Sequence, residues 1–105
     1  MNKNKYRTFE EITIESFKKD QQLAEEFLEL ALEEYQKDGD EAVLMLALRK
    51  VAIAKGGFSK LSKKTGLSRE ALYRTLSANG NPRFHSLRLI LEALGYNIFF
   101  KHCNT

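Results

Sequence analysis

Apolar residues recur along this chain mostly at three- and four-residue steps, the spacing of helices with one buried face. Phe9, Ile12, Ile14 and Phe17 fit no single period and read as an extended segment or short helical turn packed on the next helix. From Asp20, a residue suited to a helix N-cap, Leu23, Phe27, Leu30, Ala31 and Tyr35 repeat with acids between them, which predicts an amphipathic helix ending near Lys37. Asp38-Gly39-Asp40 supplies a turn and a fresh cap. Ala42 to Ala54 then carries almost nothing polar except Arg49 and Lys50, the pattern of a central, mostly buried helix that Gly56-Gly57 stops. Two short helical patterns come next, Phe58 to Lys64 and a segment capped by Ser68, joined through Thr65-Gly66-Leu67. Asn79-Gly80 ends the second, and Asn81-Pro82 opens another with Pro at its first position, where the missing N–H costs nothing. Leu87, Leu89, Ile90, Leu91 and Leu94 fill that last helix up to Gly95.

Two segments fall outside this pattern. Residues 1 to 7 are polar without periodicity and read as a loose tail. Tyr96 to Phe100 is aromatic and β-branched and reads as a strand, whose backbone groups need partners in the Phe9 to Ile14 segment or in the same strand of a second copy. The chain holds no internal repeat.

Composition narrows the class. One domain fits in 105 residues, and 43% hydrophobic with 30% charged residues is ordinary for a globular one. With Gly 6, Pro 1 and Cys 1, collagen-like and disulfide-framework classes are excluded. No stretch approaches the roughly 18 apolar residues of a membrane span, and the N-terminus carries no apolar signal core, so the expected location is the cytoplasm. Cys103 alone can close no intrachain disulfide, which suits a reducing compartment. Charge is the more telling property. Residues 1 to 40 hold six Lys/Arg against eleven acids, a net −5, whereas residues 41 to 105 hold eleven against three, a net +8. That asymmetry points to a part that faces a polyanion joined to a part that avoids one.

Phe58 to Leu76 is the stretch whose chemistry is most specific. Its small and apolar positions meet the demands of two helices crossing steeply through a short turn. Ser62 is small where the helices approach, Gly66 sits where a positive φ would penalise any side chain, and Leu61, Leu67 and Leu72 point into a shared core. Arg69, Glu70, Tyr73 and Arg74 are left exposed on the second helix, the way a helix-turn-helix offers that helix to the DNA major groove.

Here the sequence resembles the helix-turn-helix of Cro and phage-repressor type proteins and, more closely, the addiction-module antidote (antitoxin) family. The closer resemblance rests on Thr-Gly-Leu-Ser-Arg-Glu-Ala-Leu-Tyr-Arg-Thr-Leu-Ser at 65 to 77, Gly-Asn-Pro-Arg-Phe at 80 to 84 and Leu-Glu-Ala-Leu-Gly at 91 to 95, with an acidic helix and an Asp38-Gly39-Asp40 turn upstream. Ser62 stands where alanine is usual and Thr75 where an apolar residue is common. The resemblance implies an all-α, five-helix, lambda-repressor-like helix-turn-helix domain, here with a short C-terminal strand. It also implies a bacterial antitoxin of type II that represses its own operon and neutralises a small basic ribonuclease toxin. On that reading residues 1–37, the tail and acidic helix, and residues 38–105, the DNA-binding and dimerisation part, form one compact unit, and the acidic helix is the candidate toxin side.

Individual roles are assigned from chemistry. Arg69 and Arg74 can each present a planar fork to guanine, Glu70 can accept from a cytosine amino group, and Tyr73 can stack on a sugar or touch a thymine methyl. Glu70 equally reads as an acid stabilised in a helix's first turn, and Tyr73 as packing against residues 79 to 82. Ser59, Lys60, Lys63, Lys64 and Ser68 are expected phosphate contacts, as are Asn79, Asn81 and Arg83 after the second helix, although turn and cap roles already explain both asparagines. Leu87, Leu91, Tyr96, Ile98 and Phe100 are the expected dimer face, since a single short helix pair makes few phosphate contacts and a twofold pair reads two half-sites about 34 to 36 Å apart. His85, His102 and Cys103 lack metal-ligand spacing, and no catalytic motif or cofactor loop occurs, so no metal, no cofactor and no catalysis are expected. Two alternatives remain open: a phage-type regulator without a toxin partner, and an interaction module that keeps the fold without DNA.

Overall fold

Four of the helix starts in this protein are fixed by side chains, those of Thr8, Asp20, Asp40 and Ser68, that cap free backbone N–H groups. In the computed structural model, which describes residues 7–104, six helices run in order: α1 Phe9–Lys19, α2 Gln21–Asp38, α3 Glu41–Ala54, α4 Gly57–Thr65, α5 Arg69–Thr75 and α6 Phe84–Ala93. Residues 1 to 6 of the expected tail lie outside the described residues. Among the described residues the chain is all-helical, without a strand, and no helix is long and apolar enough to cross a membrane.

The first helix departs from the sequence reading of an extended segment or a single turn. Thr8 and Glu11 form a capping box: the Thr8 hydroxyl accepts from the Glu11 N–H at 3.0 Å, and Glu11 Oε1 accepts from the Thr8 N–H at 2.9 Å. Glu10 and Glu11 in the first turn and Lys18 and Lys19 in the last complement the helix dipole. Only Ile14 and Phe17 are buried, with the Phe17 ring 5.0 Å from that of Phe27, whereas Phe9 is 81% exposed. The Glu11 carboxyl is held below its ordinary range, first by the Thr8 N–H, then by the Thr8 hydroxyl, with Arg7 adding and burial opposing. A lowered carboxylate pKa contributes stability present above its unfolded value and lost as pH falls through the folded one. Acidification below about pH 4, the usual carboxylate range, should therefore fray the first turn of α1, read as broadening or shift of its amide NMR signals. In Glu11→Gln, whose amide oxygen still accepts but does not titrate, that pH dependence should vanish.

α3 is the centre. It buries Leu44, Met45, Ala47, Leu48, Val51 and Ala52, with α1, α2 and α4 packed on it. The buried residues from Phe17 to Leu94 form one contiguous core. Lys55, which follows α3, donates from Nζ to the Leu94 carbonyl at 3.0 Å and so ties the end of α3 to the end of α6.

Two further expectations need correction. α6 begins at Phe84 after Arg83, whose ψ of 150° is extended, so Pro82 stands outside the helix and is not its first residue. The segment Tyr96 to Phe100 is not a strand: among the described residues it pairs with no other segment, and the Tyr96 N–H donates to the Leu91 carbonyl at 2.8 Å. Instead Tyr96 and Ile98 pack on the core while Phe99 and Phe100 point outward, Phe100 stacking on Phe84 with ring centroids 6.3 Å apart.

Candidate nucleic-acid interface

The α4–α5 pair is built by three short-range hydrogen-bond devices. Gly66 caps α4 at φ +79°, in the left-handed region that its position in the turn demands, and its N–H donates to the Ser62 carbonyl at 2.9 Å. The Ser62 hydroxyl donates to the Leu67 carbonyl at 2.6 Å, which alanine could not do, so the serine at this close approach also locks the turn. Thr65 Oγ1 donates to the Leu61 carbonyl and accepts from the Leu67 N–H, at 2.8 and 3.1 Å. Ser68 then caps α5, its hydroxyl accepting from the Ala71 N–H at 3.1 Å.

This leaves α5 held by one wholly buried side chain, Leu72, with Leu76 buried just beyond its end. At 3.6 residues per turn, Arg69, Tyr73, Glu70 and Arg74 fall within an arc of about 140°, with the two arginines at its edges, and Ala71, Leu72 and Thr75 occupy the rest. All four are exposed, as are Ser59, Lys60, Lys63, Lys64, Ser68, Asn79, Asn81 and Arg83. Among the described residues no carboxylate stands within ion-pair distance of any of these basic groups; the ion pairs found are Arg7–Glu15, Lys37–Glu34 and Arg88–Glu92. Thr75 is half-buried, and no buried side-chain polar atom is left without a partner among the described residues.

Tyr73 makes contacts that sequence spacing did not show. Its ring lies 4.4 Å from that of Phe58, tilted by 54°, and the Arg49 guanidinium sits 5.8 Å from the Tyr73 ring centroid, a cation–π distance. Tyr73 is thus packed on α4 and α3 through these two contacts and is still half-exposed. Arg49 joins the basic surface from α3; sequence spacing could not place it there, although its polarity in an apolar helix was the one available signal.

The lysines of α4 divide between two surfaces. Lys60 and Lys64 line a cleft of about 550 Å³ together with Lys18 and Lys55, while Lys63 does not. By helix geometry Lys63 and Ser59 lie toward the α5 side. Gly80, expected only to end α5, donates its N–H to the Ser77 carbonyl at 3.0 Å and lies against the backbone of Thr75.

The residues expected at a dimer face are not equally accessible. Leu91 is buried in the chain's own core, Leu87, Tyr96 and Ile98 are half-buried against it, and Phe100 is 84% exposed. Burial chiefly, and then the carboxylates of Glu25 and Glu29, raise the Tyr96 phenol above its ordinary pKa. His85, His102 and Cys103 are all exposed, and no three His, Cys, Asp or Glu side chains gather into a metal-binding group among the described residues.

Comparison with known proteins adds a family. A stretch of 71 residues, 68% of this chain and 72% of the other, is 34% identical to an uncharacterised protein of Haemophilus influenzae. No solved structure matches the chain. The profile of the family described as "probable addiction module antidote protein" matches residues 8–102. That match takes in all six helices and the turn between α4 and α5, and the chain accordingly belongs to the addiction module antidote family.

Proposed function

We propose that this antidote is a type II antitoxin that binds operator DNA as a twofold dimer, represses its own operon from the cytoplasm and nucleoid, and neutralises a ribonuclease-type toxin without any catalysis of its own. One observation carries the DNA reading: α5 exposes Arg69, Glu70, Tyr73 and Arg74 on one arc, with neither guanidinium spent on an ion pair among the described residues. In this reading α4 and α5 act as a helix-turn-helix of Cro type, with α5 in the major groove. Ser59, Lys63, Ser68, Asn79, Asn81 and Arg83 meet phosphates, joined by Arg49. The twofold contact is assigned to the α6 end of the molecule, where Phe84, Phe99 and Phe100 are exposed beside half-buried Leu87 and Ile98.

Gel shifts on the chain's own upstream region test this. Arg74→Ala should cost about 1–3 kcal/mol of discrimination at one base position, whereas Lys63→Ala should weaken all sequences alike and reduce the salt slope by about one unit. Unretarded DNA at low salt would end the DNA reading, and identical behaviour of the two variants would overturn the division into base and phosphate contacts.

A further inference from the structure

The outer seam between α2 and α3 carries apolar side chains that the described residues leave uncovered. Leu30 is 55% and Val43 52% exposed, and with Phe27 and Leu46 they line a groove of about 270 Å³. Leu23, 41% exposed, extends the same stripe toward the start of α2. At 3.6 residues per turn Leu23, Phe27 and Leu30 share an arc of about 60°, and Glu26 and Glu33 border it on the solvent side. Contiguous apolar surface with a charged border marks a place where another molecule docks.

The border sets the chemistry of that molecule. α2 carries six acids against Lys37 alone, a net −5, and Glu34 stands in the groove wall itself. Nucleic acid is repelled from such a surface, and a basic partner is attracted. From Leu23 to Glu34 the seam runs about 17 Å or three turns, the length over which a helix lays i, i+3/i+4 and i+7 apolar anchors into a groove.

We propose that the α2–α3 groove takes an amphipathic helix of a partner protein, its apolar ridge flanked by Lys and Arg, and that this partner is the toxin. The identity of the partner rests on the antitoxin reading above; the groove and the chemistry of its occupant do not. The α3 wall adds one cation to the groove, Lys50, whose ammonium lies 5.8 Å from the Phe27 ring centroid.

Two probes test the groove separately from the reading it rests on. The first is a fluorescein-labelled helix of about 18 leucines and lysines in amphipathic register, five turns long, with a leucine–glutamate counterpart. The second is the product of the reading frame adjacent to this chain's gene. Both are titrated against the full chain and against Leu30→Asp/Val43→Asp, whose sites are exposed enough that thermal melting should hardly move. Glu26→Lys/Glu33→Lys, altered only on the solvent side, is the second variant should the first fail to fold. The expected result is that each variant weakens both the leucine–lysine helix and the neighbouring product at least about tenfold, with DNA retardation unchanged and the leucine–glutamate helix bound poorly by every form. Equal binding of the leucine–lysine and leucine–glutamate helices, or of either probe by wild type and variants, overturns the groove. If the neighbouring product binds but ignores the substitutions, the groove falls and the antitoxin reading survives. If only the leucine–lysine helix responds and the product binds nothing, the groove stands and the toxin assignment falls. Loss of a wild-type dimer in Leu30→Asp/Val43→Asp by sedimentation would give the groove to a second copy and overturn the proposal.

Discussion

Leu72→Ala should destabilise the whole domain by about 2–5 kcal/mol, the range for truncating a buried leucine whose cavity does not collapse, and on the DNA-binding reading proposed above it should also remove operator binding. Leu72 is fully buried and is the single buried side chain within α5. A seven-residue helix has no stability of its own, because nucleating it costs more than its few hydrogen bonds return. Its position therefore depends on this anchor, on the Ser68 cap and on Leu76 beyond its end. In a domain of this size the loss should lower Tm by about 10 °C or more, measurable by calorimetry. The DNA effect should persist below the transition, since α5 without its anchor no longer aims Arg69 and Arg74. A variant that melts within a few degrees of wild type would mean that α5 is held by something other than Leu72.

Gly80→Ala is expected to be the other severe change, for a reason unrelated to handedness. Gly80 has no positive φ, yet a Cβ there would collide with the Thr75 carbonyl oxygen, with the Thr75 carbonyl carbon 2.9 Å and the Ser77 carbonyl oxygen 3.1 Å away. All three are backbone atoms, so no rotamer change relieves the contact. Overpacking of this kind costs about 1–3 kcal/mol or more, and here it also pushes apart the Gly80 N–H and the Ser77 carbonyl that accepts from it. Urea denaturation should show the midpoint falling in Gly80→Ala while Asn79→Ala, altered only at an exposed side chain, stays within about 0.5 kcal/mol of wild type. Equal midpoints would show that the 77 to 80 turn relaxes freely.

α2 and α3 were legible because each carries periodic apolar positions after an aspartate cap, and α4 to α6 because glycine, serine and proline punctuate short apolar repeats, although the start of α6 lies two residues beyond Pro82. α1 was obscured by its own surface: Phe9 and Ile12 are exposed, so the apolar residues trace no single face, and the readable signal was the Thr8-Phe9-Glu10-Glu11 capping box. The apparent strand at 96 to 100 shows the opposite error. Its composition favours pleated structure, but propensity without a neighbouring strand satisfies no backbone group, and packing of Tyr96 and Ile98 on the core decides its path. Within the candidate site, exposure of Arg69, Glu70, Tyr73 and Arg74 could be read from helical spacing. The contacts of Tyr73 with Phe58 and Arg49 could not, because they join residues 15 and 24 positions earlier in the chain through tertiary packing. The role of Gly80 was hidden likewise, since a turn glycine and a glycine under a carbonyl look alike in one dimension.

α3 serves as a party wall. Its adjacent residues Arg49 and Lys50, about 100° apart round the helix, lean over rings of different helices, Tyr73 of α5 and Phe27 of α2. A fragment beginning at residue 38 would strip α1 and α2 from α3 and uncover apolar side chains that now share one contiguous core. Neither half is a portable module, so dissecting this molecule calls for point substitutions on a whole chain, never for scissors.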